Sequence, residues 1–186
     1  MNKNSGFTLI ELMVTLSIAA ILMGIAVPSF QTVIKDNRIV TQTNQLVTAL
    51  NLARSEAIKR GVRVTVCKSA NRAACTTAGT WDQSWLVFVD SVSPIGTIDT
   101  NDLVLRSFEP VPQGVTMRSG DNFANFISYK PNGISEGATD LATDTFGICD
   151  SRGVASARAL SLNNTGRIIK RAGTAITADL TTFTCP

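Results

Sequence analysis

The sequence predicts an α+β protein: one long N-terminal helix, followed by an antiparallel β-sheet or sandwich domain. Three observations predict it. Residues 7–30 form an apolar run whose one ionisable residue is Glu11. Apolar residues then recur at helical spacing from Ile39 to Ala57. Beyond Gly61 the pattern changes to short runs rich in β-branched and aromatic residues, punctuated by Gly, Pro, Asn and Asp. At 186 residues the chain can bury one core. It divides into a leader (1–6), an apolar helix (7–30), its amphipathic continuation (31–60) and a globular β domain (61–186).

The apolar run is long enough to cross a membrane. As a helix it spans about 36 Å, against about 30 Å of hydrocarbon. It is not arranged as an ordinary secretory signal, whose small-residue cleavage site follows the apolar stretch. Here the small residue, Gly6, comes first, so a cut after it leaves the apolar helix on the mature protein. Met23-Gly24-Ile25-Ala26 also fits a conventional cleavage site, but that reading leaves Glu11 unexplained. Lys3 is the one charged residue of the leader. By the positive-inside rule it places the N-terminus in the cytoplasm and residues 31–186 outside the inner membrane.

A carboxylate within a membrane segment costs about 2.5–3.5 kcal/mol and is usually kept for a partner. Cutting after Gly6 would create a positive amine on Phe7. The Glu11 of a neighbouring copy is a suitable counter-ion for it inside a helical bundle. The simpler alternative is a signal anchor whose Glu11 sits at the interface.

Gly6-Phe7-Thr8-Leu9-Ile10-Glu11 resembles the class III signal of type IV pilins and type II secretion pseudopilins. The resemblance implies that a prepilin peptidase cuts after Gly6 and methylates Phe7. It implies that Glu11, fifth from Phe7, docks the subunit onto its neighbour. It also implies major and minor pilins as partners, an inner-membrane assembly platform, and a location that passes from inner membrane to pilus or pseudopilus, near the tip. Pro28 lies where many pilins carry a helix-kinking proline, and a kink or local break is expected there.

The helix continues past the membrane segment. Ile39, Leu46, Leu50, Ala53 and Ala57 form one stripe, and Lys59, Arg60 and Gly61 are ordinary C-terminal signals. Arg54-Ser55-Glu56-Ala57-Ile58-Lys59-Arg60-Gly61, running into Val62-Arg63-Val64-Thr65-Val66-Cys67, resembles the GspH/FimT group of minor pilins and pseudopilins. That group implies antiparallel sheets packed on the helix.

The β domain reads as seven or eight strands. They begin with the alternation of Val62, Val64 and Val66 and the continuous run Trp85–Val89. Leu103–Phe108, Val115–Arg118, Phe126–Lys130, Phe146–Cys149, Ala157–Leu162 and Arg167–Arg171 follow. Pro131-Asn132-Gly133 signals a turn. Residues 134–145 read as a surface loop. Four cysteines in an exported chain suggest two disulfides, with three possible connectivities. Loop length favours Cys67–Cys75 and Cys149–Cys185.

The sequence has no histidine, which removes the usual triads and imidazole acid–base chemistry. No phosphate loop, dinucleotide fingerprint or nucleophile elbow occurs. Asp99–Asp102 lacks the calcium-loop pattern and reads as a solvated turn. The chain is not expected to be an enzyme or to need a cofactor.

Charge is unevenly spread. Residues 35–72 carry a net +6, residues 81–150 a net −7 and residues 151–186 a net +4. Arg167, Lys170 and Arg171 lie within five residues of one another. On a strand, Arg167, Ile169 and Arg171 share one face and Ile168 and Lys170 the other. Such cations can grip phosphates. FimT-type minor pilins bind DNA through a C-terminal G-R-x-R motif, which makes DNA a candidate partner. Here Gly166-Arg167 fits that motif, but Ile169 stands in place of the second arginine. A solvated edge strand, its charges opposing aggregation, is the competing reading. Arg152 and Arg158 are candidates to widen the basic patch. The resemblance thus implies a minor pilin that helps initiate or cap a type IV pilus, with a DNA-uptake pilin or a minor pseudopilin of a type II secretion system as the alternatives.

Overall fold

A computed structural model describes residues 6–139, 142–163, 165–172 and 185. The chain divides into two compact units, Met1–Asn37 and Arg38–Pro186. One helix, α1 (Leu9–Arg60), supplies residues to both.

In the first unit every Phe, Leu, Ile, Met and Val from Phe7 to Ile34 is exposed. The segment is long and apolar enough to cross a membrane. Of the kink or local break expected at Pro28, a break does not occur: α1 is helical on both sides of it. Proline removes one N–H donor from the ladder but leaves the neighbouring bonds in place. The Thr32 hydroxyl also donates to the Pro28 carbonyl, at 3.2 Å.

In the second unit α1 turns one face inward. Ile39, Leu46, Ala49, Leu50, Ala53 and Ala57 are fully buried, joined by the polar Gln42 and Thr43. The alanines leave room for close approach of the sheets. The helix ends in the basic pair Lys59–Arg60, and the Gly61 N–H bonds the Ala57 carbonyl.

Nine strands follow among the described residues. They are β1 (Val64–Lys68), β2 (Trp85–Val89), β3 (Val104–Phe108), β4 (Val115–Ser119), β5 (Phe126–Tyr129), β6 (Ser135–Glu136), β7 (Asp144–Asp150), β8 (Arg158–Leu162) and β9 (Ile168–Ala172). They build two antiparallel sheets, ordered β3-β2-β1-β5-β6 and β4-β7-β8-β9. Alternation decides which side chains meet α1. Val64 and Val66 of β1, Val87 of β2, Ile127 of β5, Phe146 and Ile148 of β7, and Leu160 and Leu162 of β8 share one core with the helix stripe. Trp81 packs edge-on to Phe146, with ring centroids 5.2 Å apart, and donates its indole N–H to the Phe123 carbonyl at 2.9 Å. The opposite face of the first sheet carries a smaller cluster of Cys67, Leu86 and Phe88, with Cys75, Ile98 and Phe126 packed on it.

Two strand expectations change. Residues 134–145 are not simply a surface loop. Ser135 and Glu136 are buried and pair with Tyr129 and Ser128 as β6, and β7 already starts at Asp144. Polar residues hide such a strand from any apolar pattern. Glu136 is held there by Lys130 (3.3 Å) and Arg63 (3.7 Å). The strand β9 begins at Ile168, so Arg167 lies in the connection before it.

Candidate functional site

The candidate processing site is open. Gly6 and Phe7 precede the first helical turn, and Phe7 is 78% exposed. Thr8 and Glu11 form a capping box. The Glu11 Oε2 accepts the Thr8 N–H (3.3 Å) and the Thr8 hydroxyl (3.2 Å), and the Glu11 N–H reaches back to the Thr8 Oγ1 (3.3 Å). Within one chain, then, Glu11 satisfies backbone donors at the helix start, where a carboxylate also suits the helix dipole. The T-x-x-E spacing was available to signal this cap, and sequence reasoning passed over it.

The three C-terminal cations do not share one face. Ile168 packs against the core, and Lys170 follows it onto the helix side, where its Nζ donates to Asn44 Oδ1 at 2.9 Å. Ile169 and Arg171 line an open cleft with Asp144, Thr145, Ser161 and Asn163. Arg167 is exposed in the turn, its N–H bonded to Asn163 Oδ1 at 2.8 Å. Arg152 does not widen this patch. Its Nη2 lies 2.9 Å from Asp150 Oδ2, and the pair is largely buried. Arg158 does join. With Lys170 and Arg171 it lines a small cleft of about 90 Å³ beside Val40, Thr43 and Asn44 of α1.

Cys67 is bonded to Cys75, and Cys149 to Cys185. The first bond fixes the loop after β1 to the strand's outer face. The second holds residue 185 against Ala157 and Ala159.

Burial pushes two carboxyls above the usual carboxylate range. Asp90 is almost fully enclosed, although its Oδ2 accepts the Thr65 hydroxyl (2.7 Å) and the Gly96 N–H (2.9 Å). Asp144 accepts the N–H groups of Phe123 and Thr145, at 2.8 and 2.7 Å. Burial also lowers the Lys68 ammonium, which donates to the Gly79 carbonyl at 2.8 Å. These groups fasten loops to sheets. No group of three or more metal-ligating side chains occurs among the described residues. Asp99–Asp102 closes on itself, with Asp102 Oδ2 accepting the Asp99 N–H at 3.0 Å.

Residues 42–166 match the family model for the type II transport protein GspH. Residues 1–27 match that of the prokaryotic N-terminal methylation motif. No curated protein matches the chain in sequence. Among solved structures, the type IV minor pilin FimU of Pseudomonas aeruginosa (strain PAO1) is similar in two crystal forms. The first has a TM-score of 0.56 at 20% identity, covering 74% of this chain and 91% of that one. The second has a TM-score of 0.52 at 20% identity, covering 70% and 90%. At that identity the likeness is one of fold.

Proposed function

The chain belongs to the GspH family, and from that premise we propose that it is a minor pilin that helps initiate or cap a type IV pilus. In this reading a prepilin peptidase cuts after Gly6 and methylates Phe7. Residues 7–30 then hold the protein in the inner membrane, with the globular unit in the periplasm, until the assembly platform extracts it into a filament. There Glu11 exchanges its capping bonds for the amine of a neighbouring pilin. The family and fold are those of structural, non-enzymatic subunits.

One observation carries the proposal. The methylation motif sits on a helix whose first half leaves every large apolar side chain uncovered within its own chain. Such a surface needs lipid before assembly and neighbouring helices after it. The test is complementation of a deletion strain with Gly6→Val and Glu11→Ala, scored for piliation, twitching and secretion. Loss of piliation and twitching supports a pilus role. Loss of secretion alone would move the chain to a minor pseudopilus. Intact piliation and secretion in both variants would overturn the proposal.

A second reading, DNA uptake, is favoured by the cleft that gathers Arg158, Lys170 and Arg171. It predicts that the full chain in detergent binds duplex DNA more weakly as salt rises. Replacing Arg167, Lys170 and Arg171 by glutamine should reduce that binding. Unchanged affinity would remove these residues from any DNA site.

A further inference from the structure

Two turns of the second unit meet the C-terminal end of α1. Gly133, between β5 and β6, lies against the helix: a Cβ there would sit 3.0 Å from Ile58 Cδ1 and 3.2 Å from Arg54 Nε. Gly166, between β8 and β9, lies against Gly133: a Cβ there would fall 2.4 Å from the Gly133 carbonyl oxygen. Gly166 also has φ +71, so both its conformation and its contact call for glycine. Arg54 Nη2 ties the same turn to the helix through the Thr165 carbonyl, at 3.0 Å. The next residue along is Arg167, exposed. Arg167 therefore follows directly on the turn that meets the helix end.

The pole so formed has an apolar centre and a cationic rim. Ile58 is 54% exposed and Ile134 37%, with Gly133 between them. Around them stand Arg54, Lys59, Arg60, Arg63, Lys130 and Arg167. Glu56 pairs with Lys59 and Arg60, and Glu136 with Arg63 and Lys130, so six cations against two carboxylates leave the pole a net charge of +4. An apolar centre inside a charged rim is the anatomy of a protein-docking surface. A nucleic acid would be better served by exposed aromatics, and the neighbouring aromatic, Tyr129, is buried.

We propose that this pole docks an apolar patch rimmed by carboxylates on a neighbouring filament subunit. The partner class rests on the filament reading above. The surface does not, because it lies outside the apolar half of α1.

The test places a photo-crosslinking residue at Ile58, at Ile134 and, as reference, at Ile25 in the full chain, in its own cells. Adducts are identified by mass spectrometry. Expected are adducts at Ile58 and Ile134 with a protein that itself carries an N-terminal methylation motif. Their yield should fall by about tenfold or more on Lys59→Glu with Arg167→Glu, because reversed rim charges repel the partner's carboxylates, and Glu56 keeps Arg60 as its partner. A companion melting curve should show that this double variant folds as the parent does. If Ile25 gives pilin adducts while Ile58 and Ile134 give none, the pole is not a docking surface and the filament reading stands. If no position gives a pilin adduct, both fail. Adducts with DNA, with lipid alone or with proteins lacking the motif would also overturn the proposal, as would a yield indifferent to charge reversal.

Discussion

From Leu9 to Ile34, α1 exposes every large apolar side chain; from Ile39 to Ala57, it buries eight residues along one face. The second half has a stripe because two sheets of its own chain cover it, so its other faces can be polar. The first half has no stripe. A helix apolar all round is stable only where its surroundings are apolar all round. The comparison teaches that one helix divides into two roles: residues from Ile39 on hold the fold, and those before it, in the function proposed above, await a membrane or other subunits.

That separation can be broken by mutation. The largest effect is expected at the buried stripe. Leu50→Ala should lower the unfolding free energy of the globular unit by about 3–4 kcal/mol, since it empties a fully enclosed site. Urea titration followed by tryptophan fluorescence reads this, because Trp81 and Trp85 lie in the same core. Of comparable size is the longer disulfide. Opening Cys149–Cys185, which spans 36 residues, should cost about 4 kcal/mol, and opening Cys67–Cys75, which spans 8, about 2.5 kcal/mol. A Cys149→Ala, Cys185→Ala pair measured beside a Cys67→Ala, Cys75→Ala pair checks the order. If the short loop mattered more, the account of how residue 185 is fastened would be wrong.

A smaller, pH-dependent effect is expected at Asp90. Burial raises its pKa, opposed by the Gly96 and Thr65 hydrogen bonds and by Arg63, and aided by Asp102. A raised carboxyl binds more protons folded than unfolded. Its contribution is therefore fully present below the unfolded value and is lost as pH rises through the folded one. The urea midpoint should accordingly fall as pH rises from the ordinary carboxylate range towards neutrality. Asp90→Asn should flatten the fall in part, with Asp144 supplying the rest in the same direction. A steeper fall in the variant would refute the assignment. The smallest effect closes the comparison: Leu22→Ala should leave the unfolding free energy of the globular unit, read from the urea titration, within about 0.5 kcal/mol of the parent.

Much of this architecture was legible because periodicity reports burial. Ile39, Leu46, Leu50, Ala53 and Ala57 repeat at helical spacing, and all five are buried. Gln42 and Thr43 are buried beside them and escaped notice, since a pattern counted on apolar residues is blind to polar ones. Thr43 satisfies its hydroxyl on the Ile39 carbonyl, at 2.7 Å. Glu136 escaped for the same reason. The basic C-terminal segment was legible as composition but not as geometry. The alternation of β9 put Lys170 opposite Arg171, yet only the fold brings Asn44, 126 residues earlier, to Lys170. Nor could sequence show that Gly166 seats against Gly133 and so carries Arg167 to the end of α1.

The central claim is that the mature chain keeps its uncovered helix and begins at Phe7. The most direct measurement is mass spectrometry of the N-terminus of protein taken from its own membranes, with and without prepilin peptidase. The account predicts a chain starting at Phe7, methylated on its amine, when the peptidase is present, and an uncut chain when it is absent. A mature chain starting at Val27, after a conventional cut, or one still carrying residues 1–6 in peptidase-bearing cells, would contradict it.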